Sequence, residues 1–213
     1  MPFTLSHPAA VLPVARGPLV PAALVAGSLA PDVPYFVAAP RYAGAWYEPF
    51  VNATTTHHWP GLLTVAVPTA AVLVALWWLV RTPLADLVVR AHGAPAARRL
   101  VAPGVRGIGW LLVSLVVGVL THVVWDSFTH ADGALVGRVA LLREPVGAGL
   151  DVARLLQHVS TVAGAVVLVV WAVRRLAAWR SAGGRLGVTP VRVVVALTKG
   201  SYQAPAYRGA ATK

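Results

Sequence analysis

The 213-residue chain contains no cysteine and very few acidic side chains. Without cysteine, disulfide bridges and thiolate metal ligands are excluded. Only seven residues are Asp or Glu and charged residues make up 12% of the chain, whereas 57% of the residues are hydrophobic. The mean hydropathy of +0.69 lies outside the range of ordinary soluble domains. The composition therefore predicts an integral membrane protein.

Three apolar runs, residues 61–80, 107–128 and 155–178, are long enough to cross the hydrocarbon core of a bilayer as helices. A fourth apolar run, residues 19–30, is too short to span it. We expect it to pair with residues 5–14 in a re-entrant helical hairpin that turns near Arg16-Gly17-Pro18; a single kinked span over about residues 20–39 is the alternative. The predicted fold is all-α, a polytopic membrane helix bundle of three long transmembrane helices with an N-terminal hairpin or short fourth span.

The net charge of +11 is concentrated in two segments that flank the predicted spans. Loop 81–106 carries five Arg against one Asp, and segment 174–213 carries eight basic residues and no acidic one. Loop 131–154 balances three Arg against three acidic residues. The positive-inside rule places the two basic segments in the cytoplasm and loop 131–154 outside.

This topology predicts a multi-pass protein of the cell membrane whose C-terminus is cytoplasmic. We expect residues 1–182 to form a single membrane-embedded helical domain and residues 183–213 to form a basic, disordered cytoplasmic tail. Because topology accounts for the basic residues, membrane lipids are the expected partners and nucleic acid is not.

The segment THVVWDSFTHADG at 121–133 places His122, Asp126 and His130 four residues apart at the end of an apolar run. On a helix these side chains lie within about 80° of one another. His122 and Asp126, separated by about 6 Å of rise, can share one ion, whereas about 12 Å separates His122 from His130. Ionisable groups at membrane depth mark a pathway, a buried pair or a metal site. A His-Asp pair that only satisfies itself is the alternative.

The predicted topology brings further histidines and an aspartate to the same outer face, because the apolar runs and the hairpin begin or end there. Neutral imidazole and carboxylate without cysteine favour a catalytic zinc site, with manganese or iron as alternatives. One or two ions fit this set; with two, Asp126 bridges them and His130 serves the second ion or the outer shell. The predicted metal ligands are His7, Asp32, His57, His122, Asp126 and His158.

Several of these candidates also have a plainer structural interpretation. Asp32, between two prolines, can cap a short helix, and Ser6 can cap a helix that begins at Pro8. Arg154 can bind a substrate phosphate, but it can also contact lipid headgroups or pair with Asp151. His130 can bind the ion, contact substrate or lie in an exposed loop.

Five stretches of the chain resemble the bacterial membrane proteins called domain of unknown function 4184. This resemblance runs in order from residue 2 to about 175 and implies a metal site. That family is in turn loosely similar to bacterial inner-membrane proteins described as metal-dependent hydrolases, and the zinc-dependent phospholipases C share the His-x-x-x-Asp locally. Where the family reads Thr-His-Ser, this chain has Thr56-His57-His58, so His57 takes the family position and His58 is an extra candidate. The matching stretches are PFTLSHPAAVLP (2–13), GSLAPDVPYF (27–36), TTHHWPGLL (55–63), LTHVVWDSFTHADG (120–133) and LLQHVSTVAG (155–164).

Together, the residues and the resemblance predict a membrane-embedded metal-dependent hydrolase with its site at the outer face. Its substrate would be a phosphoester or ester of a lipid-like molecule, with Asp126 or Asp32 orienting or deprotonating the attacking water and Arg154 and His130 contacting the substrate. The alternative is a non-enzymatic integral membrane protein with a structural or transport-related metal cluster. The sequence contains neither a Ser-His-Asp order nor a phosphate-binding glycine loop that would identify the reaction.

Overall fold

The structure is a computed structural model that describes residues 4–37, 44–90 and 104–181. The predicted tail and most of the loop between the first two long helices lie outside these residues. A two-stranded antiparallel hairpin, β1 (Pro145–Gly147) and β2 (Leu150–Asp151), follows the second long helix. The helices of the described residues are α1 (Pro8–Val11), α2 (Pro21–Leu29), α3 (Val33–Phe36), α4 (Ala53–His57), α5 (Val67–Arg90), α6 (Val105–Thr129) and α7 (Val152–Ser181).

Short helical turns join several of these helices. A π-helical turn, Leu62–Ala66, leads directly into α5, where Pro68 lacks the N–H that a regular helix would use. The 3-10 turns are Thr4–Ser6, Leu12–Val14, Ala30–Asp32, Glu48–Phe50 and Ala140–Arg143.

Three helices in the described part of the chain are long and apolar enough to cross a membrane: Leu62–Arg81, Val105–Thr129 and Val152–Ser181. They confirm the three predicted spans to within three residues at each end, and with them the all-α membrane bundle. Only 11 to 28% of each apolar window is buried inside the protein. The outward-facing apolar side chains suit a hydrocarbon solvent. The helical backbone suits it too, because a helix satisfies its backbone polar groups internally.

The N-terminal segment reverses direction where the sequence predicts a turn. α1 and α2 pack against each other, and between them Gly17 has a φ of +60°, which glycine adopts without steric cost. The ends of the segment meet, because the Thr4 hydroxyl donates a hydrogen bond of 2.6 Å to Asp32 Oδ2. Residues 4–32 thus form a closed helical hairpin, whose depth in a bilayer stays a prediction.

α2 runs parallel to α6 with a constant offset of 94 residues. At one end the Val20 N–H donates to Ser114 Oγ at 2.8 Å, and two turns later the Ser28 carbonyl accepts from His122 Nδ1 at 2.7 Å. The register carries Asp32 to the level of Asp126. The part of α6 that lies along the hairpin, from Ser114 to Asp126, rises about 18 Å over twelve residues. This length is less than the roughly 30 Å of a hydrocarbon core.

Glycine allows the close approach of these two helices. A Cβ on Gly118 would lie 2.4 Å from the Leu24 carbonyl oxygen, and a Cβ on Gly27 would lie 2.5 Å from the Leu115 carbonyl oxygen. No side chain fits in such gaps. Small residues at a helix interface let backbones approach closely, which is a main source of helix association in membranes.

α7 contacts the rest of the protein mainly through its first half. Gly164 packs against Ser6, and the Trp125 indole N–H donates to Ser160 Oγ at 3.3 Å. Asp151 caps α7, since its Oδ1 accepts the Arg154 N–H at 2.7 Å. Among the described residues, the hairpin and α6 therefore form the buried interior, and the first half of α7 lies beside it.

The chain groups into two compact units. Residues 1–76 and 102–176 form the first unit, which contains every candidate site residue. The described residues of the second unit, 77–90 and 177–181, are helical.

Candidate metal centre

Three parts of the chain bring two aspartates and two histidines to one point. Asp32 ends the 3-10 turn after α2, His57 is the last residue of α4, and His122 and Asp126 lie one turn apart on α6. One ligand atom from each of the four residues lies within 4.8 Å of all the others. We call these four residues the central cluster.

The spacing of these atoms fits the coordination sphere of a single ion. His122 Nε2 lies 3.2 Å from Asp126 Oδ2 and 3.5 Å from Asp32 Oδ1. His57 Nε2 lies 3.3 Å and 3.6 Å from the same two oxygens, and 3.2 Å from His122 Nε2. In a tetrahedral site with bonds of about 2.0–2.1 Å, ligand atoms are about 3.3–3.4 Å apart.

Hydrogen bonds fix the orientation of both imidazole rings. His57 Nδ1 lies 2.7 Å from the Ala53 carbonyl oxygen, and His122 Nδ1 lies 2.7 Å from the Ser28 carbonyl oxygen. A carbonyl only accepts, so Nδ1 carries the hydrogen in each ring, and Nε2 of the neutral ring presents a lone pair. Metal-ligating histidines are oriented in this way.

Threonine hydroxyls hold the rest of the central cluster. The hydrogen bond from Thr4 occupies Asp32 Oδ2 and leaves Oδ1 facing the two imidazoles. The Thr56 hydroxyl donates to the Pro31 carbonyl at 2.7 Å and so ties α4 to the turn that carries Asp32. The Asp32 carboxylate makes no capping bond to α3, so helix capping does not explain it.

The burial of the central cluster favours a cation over a self-satisfied polar pair. His122 is 0%, Asp32 2% and Asp126 7% exposed. Buried carboxylates are costly unless positive charge compensates them. A proton joins only two atoms at a time, whereas a divalent ion contacts all four ligand atoms. The donor set of two imidazoles and two carboxylates is one that zinc, manganese and iron accept.

Two further histidines lie against the second oxygen of Asp126. His7 Nε2 and His130 Nδ1 are each 3.5 Å from Asp126 Oδ1. The His7 ring stacks on His122, with centroids 3.9 Å apart. Burial lowers the pKa of His7 below its ordinary value.

A pocket of about 150 Å³ opens from the central cluster. Asp32, His57 and Asp126 form part of its wall, and His58, His130 and Asp132 add further polar groups. No Lys or Arg among the described residues lines it. The pocket gives a small molecule access to the cluster.

The family model described as Domain of unknown function (DUF4184) matches residues 1–209. The chain belongs to this family. It matches no curated protein and no solved structure. Membership in DUF4184 confirms the resemblance seen in the sequence.

The structure of this DUF4184 protein brings together five of the six predicted ligands: His7, Asp32, His57, His122 and Asp126. Among the described residues, the sixth predicted ligand, His158, does not lie at the central cluster. The His158 side chain is exposed on α7, and Gln157 is buried instead, because successive helical residues differ by about 100° in direction.

Two other candidates lie apart from the cluster. The Arg154 side chain is exposed and is absent from the described pocket wall. His58 Nδ1 lies 2.9 Å from the Thr54 carbonyl oxygen, and this exposed ring borders the pocket beside the central cluster. Of the two neighbouring histidines, His57 is the one in the cluster.

Sequence reasoning missed part of the stripe that carries the site. Ser114 and Gly118 precede His122 and Asp126 at the same four-residue spacing, and both are buried against the hairpin. This signal was present in the sequence, because small and polar residues at one helical spacing mark a buried face in a membrane helix. Thr4 gives a weaker signal, since one hydroxyl near a histidine is common.

Proposed function

We propose that this DUF4184 protein is a membrane-embedded metal-dependent hydrolase that acts on a phosphoester or ester of a lipid-like substrate. The observation that carries the proposal is the convergence of four ligand atoms at a pocket, three of them on buried residues and the fourth on the half-buried His57. Zinc is the proposed ion, with manganese or iron as alternatives, because all three accept a donor set of imidazoles and carboxylates.

The residues of the central cluster have distinct tasks in this proposal. Asp32, His57, His122 and Asp126 would hold the ion, while Thr4 and the Ser28 and Ala53 carbonyls keep three of these side chains in position. When bound, such an ion lowers the pKa of a coordinated water and polarises an ester or phosphoryl oxygen. The predicted task of Asp126 or Asp32, to orient or deprotonate that water, is part of the proposal.

The position of the cluster supports a lipid-like substrate at a membrane interface. Asp126 lies three residues before the end of α6, which corresponds to a rise of about 4.5 Å. Two aromatic side chains with a polar end are exposed near it: Trp125 is 42% and Tyr35, which lines the pocket, 48% exposed. Tryptophan and tyrosine are typical of the membrane interface. The charge distribution of the chain supports the outer face of the cell membrane for the site and a cytoplasmic C-terminus.

The pocket also favours a second candidate function. Its volume of about 150 Å³ is small beside the roughly 300 Å³ at which ligand pockets begin, and its described wall carries no Lys or Arg. These features suit a protein that binds or passes an ion without hydrolysing a lipid. The alternative is a non-enzymatic membrane protein with a structural or transport-related metal site.

The test compares metal binding with turnover in the purified, reconstituted full chain without a polyhistidine tag. Metal content is measured by mass spectrometry, and hydrolysis is measured on a panel of phospholipids, isoprenoid phosphates and lipid esters. We expect turnover that requires the metal and is lost in Asp126→Asn but kept in His158→Ala, whose exposed side chain controls for loss of a histidine. Metal binding without turnover on any substrate favours the non-enzymatic alternative. Wild-type protein without metal overturns both.

A further inference from the structure

We infer that Asp126 bridges two cations, and that His7 and His130 hold the second. This inference rests on the proposed metal site and extends it with a second ion. It would make the protein a two-metal hydrolase of phosphoesters.

The two oxygens of Asp126 face different sets of histidines. Oδ2 faces His57 at 3.3 Å and His122 at 3.2 Å, within the central cluster. Oδ1 faces His7 and His130, each at 3.5 Å. A carboxylate that presents one oxygen to each of two imidazole pairs has the arrangement of a bridging ligand.

The second pair of contacts is unsatisfied without an ion. His7 is 4% exposed, and neither its Nε2 nor Asp126 Oδ1 has a hydrogen-bond partner among the described residues. Buried polar atoms are almost always satisfied, and an orphaned one costs free energy. A separation of 3.5 Å is too long for a good N–H to oxygen bond but is close to the spacing of two ligands on one ion.

His130 gives the second site an open side. Its side chain is 22% exposed, it follows the last residue of α6, and it lines the pocket. The buried His7 and the shared Asp126 would hold the ion from the protein interior, and His130 would hold it from the pocket. Water or substrate oxygens can complete its coordination there.

Two ions would also supply the positive charge that the pocket wall lacks. Two divalent ions outweigh the two carboxylates of Asp32 and Asp126, and the described wall contributes no Lys or Arg. Paired ions stabilise both the attacking and the leaving oxygen of an in-line displacement at phosphorus. Two-metal sites occur in phosphatases and nucleases, so the inferred substrate class is a phosphoester.

The test counts ions in purified full-length protein loaded with zinc or manganese alone. We expect two ions per chain in the wild type and one in His130→Ala, whose partly exposed position tolerates truncation. His7→Gln is a second variant with the same expectation. His58→Ala is the matched control, because His58 borders the same pocket but contacts neither oxygen of Asp126, and it should keep two ions.

Electron paramagnetic resonance of the manganese-loaded protein tests the bridge itself. We expect exchange coupling between two ions in the wild type and in His58→Ala, and an uncoupled single-ion spectrum in His130→Ala. One ion in the wild type, unchanged in His130→Ala and His7→Gln, would overturn the second site and leave the proposed function standing. No ion in the wild type would overturn both.

Discussion

The N-terminal hairpin and α7 both lie beside α6, but they differ in how many of their residues are buried and in whether they supply ligands to the site. In α2, five of nine residues are buried, including Gly27 and Ser28. In α7, the buried residues are three of thirty: Ala153, Gln157 and Gly164. The hairpin supplies Asp32 and His7 to the site, whereas the predicted ligand of α7, His158, is exposed.

This difference shows what distinguishes an interior segment from a lipid-facing one in this protein. Both segments are apolar, so hydropathy does not separate them. The hairpin presents Gly27, Ser28 and Asp32 to α6, while the surface of α7 is largely valine and leucine facing outward. In a membrane, small and polar residues mark the interface, because lipid solvates apolar side chains as well as protein does.

Replacing Gly118 by leucine should have the largest effect on this comparison. The new side chain would collide with the backbone of α2, since a Cβ alone would lie 2.4 Å from Leu24 O. We expect unfolding in detergent to become easier by about 3 kcal/mol or more, with loss of bound metal. Gly109→Leu on the same helix is the control, because nothing lies within 4 Å of its Cβ position. Equal effects of the two substitutions would show that α2 does not pack as described.

Removing a ligand supplied to the cluster should come next. We expect His57→Ala to weaken zinc affinity by at least about a hundredfold, because it removes a ligand rather than an outer-shell partner. His158→Ala on α7 should leave the affinity unchanged. Competition with a fluorescent zinc chelator measures both. A loss of zinc affinity in His158→Ala as large as that in His57→Ala would show that α7 contributes a ligand to the site.

Thr4→Val tests the hydrogen bond that closes the hairpin. The substitution keeps the shape of the side chain but leaves Asp32 Oδ2 without its 2.6 Å partner. Loss of such a partner typically lowers metal affinity about 10- to 100-fold. We expect this loss in the same chelator competition, with the fold intact by circular dichroism. Unchanged affinity would show that Asp32 needs no support from Thr4.

Ser114→Ala should have a smaller effect than the three substitutions above. It leaves the Val20 N–H at the far end of the hairpin without its acceptor, and we expect a loss of about 1–2 kcal/mol in stability. Ser160→Ala removes the 3.3 Å contact between α7 and Trp125 and should cost less than about 0.5 kcal/mol. Thermal unfolding compares them, and a reversed order would contradict the greater role assigned to the hairpin.

The sequence predicted the features that depend on local spacing. The three spans, the turn at Gly17 and the pairing of His122 with Asp126 follow from run length, backbone preference and helical rise. The rotation of α7 did not follow, because an almost uniformly apolar helix does not specify which side faces the protein. His158 and Gln157 differ by one residue, and only packing against Ser6 and Trp125 decides between them.

The contacts that orient the ligands were also beyond sequence reasoning. The hydrogen bond from Thr4 to Asp32 joins residues 28 apart, and those from the imidazoles end on backbone carbonyls, which every residue possesses. The partition of Asp126 between two pairs of histidines depends on how the hairpin, α4 and α6 meet. Such features require the tertiary structure.

X-ray absorption at the zinc edge of the loaded, reconstituted protein examines the metal centre itself. We expect a first shell of nitrogen and oxygen at about 2.0–2.1 Å that includes imidazole scattering. This scattering should decrease in His57→Ala and persist in His158→Ala. A first shell without imidazole, or a spectrum that His57→Ala leaves unchanged, would contradict a metal centre formed by Asp32, His57, His122 and Asp126.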